Sequence, residues 1–200
     1  VDPEWNNKKS SNHVRYPLPK QKDAKASIQV RLQESGIDQG RYAVIVPGSA
    51  HADKCWPLER FAELIDRIQE IYSLPVILVG SAAEQQVAEK LKAMAHGKIV
   101  NWVGQTTLPE LRWTLGLSGL VISNDTGPGH LAVAQDVPMV MMFSWSNPAR
   151  IFPYGRPECM VARDPFTRPA GIRSHDPRHN IDQIPVDDVW EKVKQQLGPA

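Results

Sequence analysis

Residues 123–130 carry the residue types best suited to holding an anion. The segment reads Ser-Asn-Asp-Thr-Gly-Pro-Gly-His and follows an apolar run that predicts a buried strand. Two glycines let the backbone turn tightly, and the residues after them predict a helix that begins at once. Free backbone N–H groups at a helix start, together with the helix dipole, attract phosphate oxygens. We therefore expect phosphate groups to bind at the turn of Asp125, Thr126 and Gly127, with His130 facing the same anion.

The same segment is open to two other interpretations. In the first, Asp125 or Thr126 is an ordinary N-cap residue and the glycines only form a turn. In the second, Asp-Thr-Gly is the triplet of aspartic proteases, in which two paired carboxylates share a proton. That class requires a β-rich body and a second triplet or a dimer, whereas this triplet opens an alanine-bearing helix in an α/β pattern. The sequence therefore disfavours a protease and leaves the N-cap interpretation open.

Three more polar residues are expected near this segment because they follow the ends of predicted strands. Ser49 and Lys54 come after an apolar run that ends in Pro-Gly-Ser, and Glu84 follows the next apolar run. An ammonium group at Lys54 would neutralise phosphate charge. Glu84 would accept hydrogen bonds from ribose hydroxyls, as acidic residues do at comparable positions of dinucleotide folds. The alternatives are a solvated Lys54 and a first-turn Glu84 that only complements the helix dipole.

Composition excludes several classes of protein. The 23 basic and 22 acidic side chains nearly cancel in 200 residues, so no overall charge favours nucleic acid or an anionic membrane. The two cysteines lack metal-ligand spacing and are too few for a disulfide scaffold, which favours a reducing, cytoplasmic location. His175 and His179 have a zinc-like interval, but no cysteine pair or third ligand accompanies them, so we expect no metal. No apolar run is long enough to cross a bilayer, which leaves a peripheral membrane contact open.

Apolar runs that predict buried strands alternate with amphipathic helices along the chain. Residues 57–72 show the clearest helical spacing, with charged residues opposite the apolar ones. Such alternation is typical of βαβ units, whose right-handed crossovers build a doubly wound parallel sheet. We therefore predict one Rossmann-like α/β domain at residues 27–200, preceded by a linker or interdomain arm at residues 1–26. The expected strands are 42–46, 76–79, 99–103, 120–122 and 140–143, and the expected helices are 26–36, 57–72, 83–94, 108–117, 131–134 and 186–197.

Taken in order, these motifs resemble family 9 of the glycosyltransferases, the ADP-heptose:lipopolysaccharide heptosyltransferases. The resemblance covers residues 40–197, and the ordered combination of motifs is more specific than any single one. The segments that carry it are Pro47-Gly48-Ser49, Asp53-Lys54-Cys55-Trp56-Pro57 with Arg60-Phe61, Gly80-Ser81 with Glu84, Val103-Gly104, Asp125-Thr126-Gly127 with His130, and residues 143–155.

The resemblance implies a GT-B enzyme of two Rossmann-like domains, of which this chain is the C-terminal, donor-binding domain. Such enzymes transfer heptose from ADP-heptose to the lipopolysaccharide inner core, with inversion and without a required metal. The general base and most acceptor contacts belong to the N-terminal domain, so this chain alone is expected to be inactive. By the same similarity Thr126, Gly127 and His130 contact the diphosphate, Lys54 assists charge on it, Asp125 meets the sugar-nucleotide, and Glu84 meets the ribose.

The chain departs from the family pattern after the last predicted strand. Where relatives have a small Gly-Pro pair before a threonine, this chain has Ser144-Trp145-Ser146. A bulky indole is therefore expected near the donor pocket, where it bears on which sugar is bound. Pro128 and Gly129 stand where relatives commonly hold larger residues, which alters the helix start without removing its exposed amides. The alternative functions are a UDP-sugar epimerase of the related GT-B-like group and a nucleotide- or phosphate-binding module without chemistry.

Overall fold

The computed structural model describes residues 22–151, 153, 155–165, 168 and 171–199. Its first element is helix α1, Lys22–Glu34, which begins four residues before the start that the apolar spacing predicts. Residues 1–21 of the expected arm lie outside the described residues, as does Tyr154 of the motif at 143–155. The domain boundary therefore stays a prediction. Within the described part of the chain, no helix is long and apolar enough to cross a membrane.

In the described part of the chain, six parallel strands form the centre of the fold. They are β1 Ala43–Val46, β2 Val76–Leu78, β3 Ile99–Asn101, β4 Leu120–Asn124, β5 Met139–Phe143 and β6 Met160–Ala162. The sheet order is β3-β2-β1-β4-β5-β6, so the chain grows outward on one side of β1 and then returns to the other side. This reversal places β1 beside β4, with Val46 paired to Ser123 at the end of the two strands. Ligands of such sheets bind outside the carboxyl ends of the strands at this reversal.

Helices cover both faces of the sheet. After α1 they are α2 Leu58–Tyr72, α3 Gln85–Met94, α4 Leu108–Gly116, α5 Gly127–Val133, α6 Pro148–Ile151 and α7 Val186–Leu197. On one face α2, α3 and α7 pack against strand residues such as Ile45 and Leu78. On the other face α1, α4 and α5 pack against residues such as Val44 and Ile77. Alternate strand residues thus enter opposite cores, which explains the continuous apolar runs and confirms the predicted doubly wound, Rossmann-like sheet.

Besides α1, three elements differ from the sequence prediction, and the first is α6, whose four residues are too few to show helical spacing. The sequence does not predict β6, because three residues are too short a run to stand out, and β6 is defined by its parallel pairing with β5. Helix α5 begins at Gly127 instead of residue 131, so Gly127 and Gly129 form its first turn and not a separate turn before it. Pro128 fits there because the first helical turn needs no N–H donor from it. The all-parallel sheet also lacks the β-rich body that an aspartic protease requires.

Gly119 lies where β1 and β4 begin to pair. Its N–H donates to the Tyr42 carbonyl over 2.9 Å, and the Gly40 N–H donates to the Leu117 carbonyl over 2.8 Å. A Cβ atom added to Gly119 would lie 2.4 Å from the Gly40 carbonyl oxygen, which is part of the backbone and cannot swing aside. The close approach of the two segments therefore requires glycine at this position.

We expect Gly119→Ala to lower the free energy of unfolding by about 1–3 kcal/mol, because the backbone must shift to admit the methyl group. Gly116→Ala, at the end of α4, is the matched control. Its added Cβ would meet the flexible side chain of Gln135, and alanine favours a helix. Urea unfolding measures both variants, and equal stabilities would contradict the packing argument.

Candidate functional site

The candidate site lies at the carboxyl ends of β1 and β4, where the strand order reverses. Asn124, the last residue of β4, joins the loops around it through its buried side chain. Its amide donates to the carbonyls of Pro47 and Gly48 over 2.9 and 3.3 Å. Its Oδ1 accepts a hydrogen bond from the Trp56 N–H over 3.2 Å. The chain segments that carry the predicted residues are therefore held against each other.

Lys54 ends a short 3-10 turn, Ala52–Lys54, shortly before the anchored Trp56. Trp56 is buried, donates from Nε1 to the Ile184 carbonyl over 2.9 Å and meets Phe61 edge to face. Because Trp56 is fixed in the core, Lys54 is held at the end of β4, and its Nζ lies 2.6 Å from Asp125 Oδ2. Only 14% of the Lys54 side chain is exposed. The alternative of a solvated lysine is therefore wrong.

Asp125 is the centre of the site. Its side chain is 5% exposed. Besides the bond from Lys54, Oδ2 accepts a hydrogen bond from Ser146 Oγ over 2.7 Å, and Oδ1 lies 3.4 Å from His130 Nε2. Burial alone would raise the pKa of this carboxyl, but hydrogen bonds from His130, Lys54 and Ser146 and the charge on Lys54 outweigh burial and lower the pKa to about 2. The carboxylate is therefore charged at neutral pH, and both of its oxygens already face protein donors.

The start of α5 is open toward the predicted anion site. Thr126 occupies the N-cap position without a side-chain bond to the first-turn amides, and its hydroxyl lies 3.1 Å from Ser123 Oγ. A Cβ atom added to Gly127 would have no neighbour within 4 Å, whereas one added to Gly129 would lie 2.5 Å from Met141 Cε. Gly129 thus allows close packing, while Gly127 faces open space. An ordinary N-cap bond, the alternative that the sequence leaves open, is not made by Thr126.

Glu84 and Ser49 lie at the same edge of the sheet. Glu84 forms a capping box, in which Oε2 accepts hydrogen bonds from the Ser81 N–H and hydroxyl over 2.5 and 2.9 Å. Its side chain also lies against the loop after β1, because a Cβ atom on Gly48 would be 1.7 Å from Oε1. Ser49 is half-buried, and its Oγ accepts a hydrogen bond from the His51 N–H over 3.4 Å. The first-turn role of Glu84 is therefore present, and its contact with a ribose stays a prediction.

Trp145 follows β5 and stands beside Lys54, where the sequence predicts a bulky indole. Its Nε1 donates to Asp53 Oδ2 over 2.7 Å. Lys54 Nζ lies 4.5 Å and Arg173 Cζ 4.2 Å from the ring centroid, within the range of cation–π attraction. Three charged neighbours therefore hold the indole in place.

Arg168 holds the loop after β5, and no motif in the sequence singles it out. Its guanidinium is buried, donates from Nη1 to the carbonyls of Ser144 and Ser146, and donates from Nη2 to the Arg163 carbonyl over 2.8 Å. Burial lowers the pKa of Arg168 to about 10. Its partners are backbone carbonyls, which any sequence supplies. Ser146 is also missed from the sequence, because 21 residues separate it from its partner Asp125.

The described residues contain no group of three His, Cys, Asp or Glu side chains that could hold a metal ion. His179 is buried, with Nδ1 2.5 Å from Ser174 Oγ, whereas His175 is exposed. Cys55 and Cys159 are free thiols. Burial raises the pKa of both, for Cys159 to about 12, so both are protonated at neutral pH and do not act as thiolates.

The low pKa of Asp125 predicts a pH-dependent contribution to stability. A carboxyl whose pKa is lower in the folded than in the unfolded chain stabilises the fold fully above its unfolded pKa of 3.8 and loses that effect as the pH falls to about 2. The shift corresponds to about 2 kcal/mol. We expect Asp125→Asn to lower the free energy of unfolding by about 2 kcal/mol at pH 7, and the difference from the unchanged protein to shrink below about pH 4.

Asp187→Asn is the matched control for this measurement. Asp187 pairs with Arg67 at the surface, where 79% of the Asp187 side chain is exposed. Exposed pairs contribute about 0–1 kcal/mol, so this variant should differ little from the unchanged protein. Urea unfolding across the acidic range measures both variants. A loss in Asp125→Asn that does not change with pH would show that the carboxylate charge is not its source.

The chain is similar in sequence to a family of known proteins. Residues 4–169 match the sequence profile of glycosyltransferase family 9 (heptosyltransferase). The chain is 31% identical over 147 residues to the lipopolysaccharide core heptosyltransferase OpsX of Haemophilus influenzae, a match that covers 72% of this chain and 42% of that protein. It is 30% identical over 151 residues to lipopolysaccharide heptosyltransferase 1 of Escherichia coli K12, covering 75% of this chain and 46% of that protein. The chain thus spans less than half the length of these relatives.

The structure of Escherichia coli ADP-heptose lipopolysaccharide heptosyltransferase II shares the fold of this chain. The TM-score is 0.71 at 20% sequence identity, and the match covers 90% of this chain and 53% of that one. The profile match includes both segments that form the ion pair, the loop with Lys54 and the loop with Asp125. On this sequence similarity, the chain belongs to glycosyltransferase family 9.

Proposed function

We propose that this chain binds the nucleotide-sugar donor of an inverting glycosyltransferase, which transfers heptose from ADP-heptose to the lipopolysaccharide inner core or another glycolipid acceptor. The observation that carries the proposal is the cluster of Lys54, Asp125 and His130 beside the open start of α5. A cation, an imidazole and backbone N–H groups converge there at the reversal of strand order. Membership of family 9 supports the donor class. Because the acceptor is a lipid, we propose that the reaction takes place in the cytoplasm at the inner face of the inner membrane.

The charge on Lys54 is compensated by Asp125 before a diphosphate binds, and Lys54 still has donors for the diphosphate. Lys54 Nζ carries three N–H donors, and among the described residues Asp125 is its hydrogen-bond partner, at 2.6 Å. The remaining donors serve phosphate oxygens. The ring of His130, 45% exposed, and the first-turn N–H groups of α5 add to them. Asp125 compensates the charge on Lys54 whenever no phosphate does so.

Asp125 acts in this proposal as a positioning residue. The family resemblance implies that it meets the sugar-nucleotide, but its side chain is 5% exposed and both oxygens face protein donors. Its carboxylate fixes Lys54 and orients His130, and these two residues bind the diphosphate. Thr126 and Gly127 complete the contact through their backbone N–H groups and the Thr126 hydroxyl.

The transfer is a displacement at the anomeric carbon of the donor sugar. An acceptor hydroxyl attacks this carbon from the face opposite the leaving group, the bond to the diphosphate oxygen breaks, and its electron pair leaves with ADP. Lys54 and the α5 amides stabilise the negative charge that develops on the diphosphate. The proton of the hydroxyl passes to a general base, which the family resemblance implies lies in an N-terminal domain together with the acceptor contacts. We therefore expect this chain by itself to bind the donor without turnover.

We expect the chain to bind ADP and both Lys54→Ala and His130→Ala to weaken that binding. A hydrogen bond to a charged group contributes about 1.5–3 kcal/mol, so loss of Lys54 should raise the Kd about 10–100-fold. Lys194→Ala is the matched control, because Lys194 is an exposed lysine on α7 that pairs with Glu191. Isothermal titration calorimetry with ADP and with UDP measures the affinities, and thermal unfolding without ligand checks that each variant folds.

Unchanged ADP affinity in both site variants would remove the proposed role of the cluster. A preference for UDP over ADP would instead favour a UDP-sugar epimerase. Turnover by this chain joined to an N-terminal domain of the family separates a transferase from a binding module without chemistry. Heptose transfer that is lost in Lys54→Ala supports the transferase.

A further inference from the structure

A polar cavity of about 230 Å3 lies beside the donor cluster. Its wall is formed by Asp53, Trp145, Arg173, Ser174, His175 and Asn180. Two of these residues connect it to the cluster. Asp53 directly precedes Lys54, and the Trp145 ring centroid is 4.5 Å from Lys54 Nζ. The cavity therefore adjoins the place where we expect the diphosphate.

Backbone pairing shapes the wall of this cavity. Ser146 and Arg173 form an antiparallel bridge, and the Ser174 N–H donates to the Trp145 carbonyl over 2.8 Å. The indole is held from its other end, where Nε1 donates to Asp53 Oδ2 over 2.7 Å. Trp145 is thus fixed by its main chain and by its ring nitrogen, and it forms part of the cavity wall.

The sugar ring of a nucleotide-sugar donor needs hydrogen-bond partners of its own. Asp125 is a poor partner for sugar hydroxyls, because its side chain is only 5% exposed, Oδ2 already accepts from Lys54 and Ser146, and Oδ1 faces His130. The cavity offers free groups in its place. Within the described part of the chain, no hydrogen bond reaches Asp53 Oδ1 or the side-chain amide of Asn180. Asp53 Oδ1 supplies a hydrogen-bond acceptor, and the Asn180 amide supplies both an acceptor and donors. Hydroxyl groups, which donate and accept, can bind to both.

Charge and size favour one uncharged ring as the occupant of the cavity. The carboxylate of Asp53 offsets the guanidinium of Arg173, so the wall has no excess charge that would attract a second anion. Sites that hold a whole drug-sized ligand have volumes of about 300–1,000 Å3. A cavity of about 230 Å3 is smaller than these and suits one part of a nucleotide-sugar.

We propose that this cavity binds the glycosyl ring of the donor and that Trp145 determines which sugars it admits. The inference rests on the proposed function and adds a second half to the donor site. In this arrangement Lys54 and α5 hold the diphosphate, while Asp53 and Asn180 bind hydroxyls of the ring. The indole forms the wall between the two parts, next to the anomeric carbon.

The test compares ADP with ADP-heptose, because ADP lacks the glycosyl ring. The measured quantity is the ratio of the two Kd values, which cancels effects on the diphosphate alone. We expect Asn180→Ala to raise the ratio of the ADP-heptose Kd to the ADP Kd about 3–10-fold, the effect of one hydrogen bond. Trp145→Ala should reduce the preference between ADP-heptose and ADP-glucose about 3–10-fold, because the wider cavity no longer discriminates between rings.

Gln195→Ala, which removes an exposed amide on α7, is the matched control for Asn180→Ala. Thermal unfolding checks that every variant folds. If Trp145→Ala does not fold, Asn180→Ala still tests the proposal. Two outcomes would overturn the inference and leave ADP binding and the proposed function intact. One is an equal change of the ADP and ADP-heptose Kd values in each variant. The other is an unchanged Kd ratio in Asn180→Ala together with an unchanged sugar preference in Trp145→Ala. Failure of the unchanged chain to bind ADP would overturn both.

Discussion

The ion pair between Lys54 and Asp125 is the contact on which the site depends. Both side chains are largely withdrawn from water, with exposures of 14% and 5%. A buried charge destabilises a fold unless a partner compensates it, so each residue restricts where the other can lie. The loops after β1 and β4 must therefore meet for either residue to be buried. Ser146 bonds to the same carboxylate and draws the loop after β5 to this point.

Contacts to backbone groups hold the loops around this ion pair. Asn124 bonds to carbonyls of the loop after β1, and Trp56 bonds to a carbonyl just before α7. Arg168 bonds to the carbonyls on either side of Trp145. Backbone carbonyls remain hydrogen-bond acceptors whether or not a ligand is bound. The donors of the site are thus held in position in advance, which is the arrangement that stabilises developing charge most effectively.

Trp145 lies beside the ion pair, with its ring centroid 4.5 Å from Lys54 Nζ. The family resemblance predicts a small pair of residues here, whereas this chain has an indole that is held by a hydrogen bond to Asp53 and a cation–π contact with Arg173. Ser146 bonds to Asp125 and Lys54 lies over the Trp145 ring, so the ion pair and the loop that carries the indole are in direct contact. Under the proposed function, the donor site therefore combines the ion pair at the diphosphate with a wall formed by Trp145.

The sequence by itself determined the fold class. A continuous apolar run indicates a strand that is buried on both faces, and apolar residues at helical spacing indicate a helix that is buried on one face. The sequence also placed Lys54 and Asp125 at one edge, since all parallel strands end at the same side of the sheet. Only the tertiary structure decided that Asp125 turns inward onto Lys54 and Ser146 and that Arg168 holds the loop after β5 through backbone carbonyls. These contacts join residues up to 71 positions apart, and a pattern within a single segment carries no information about which distant side chain will be its partner.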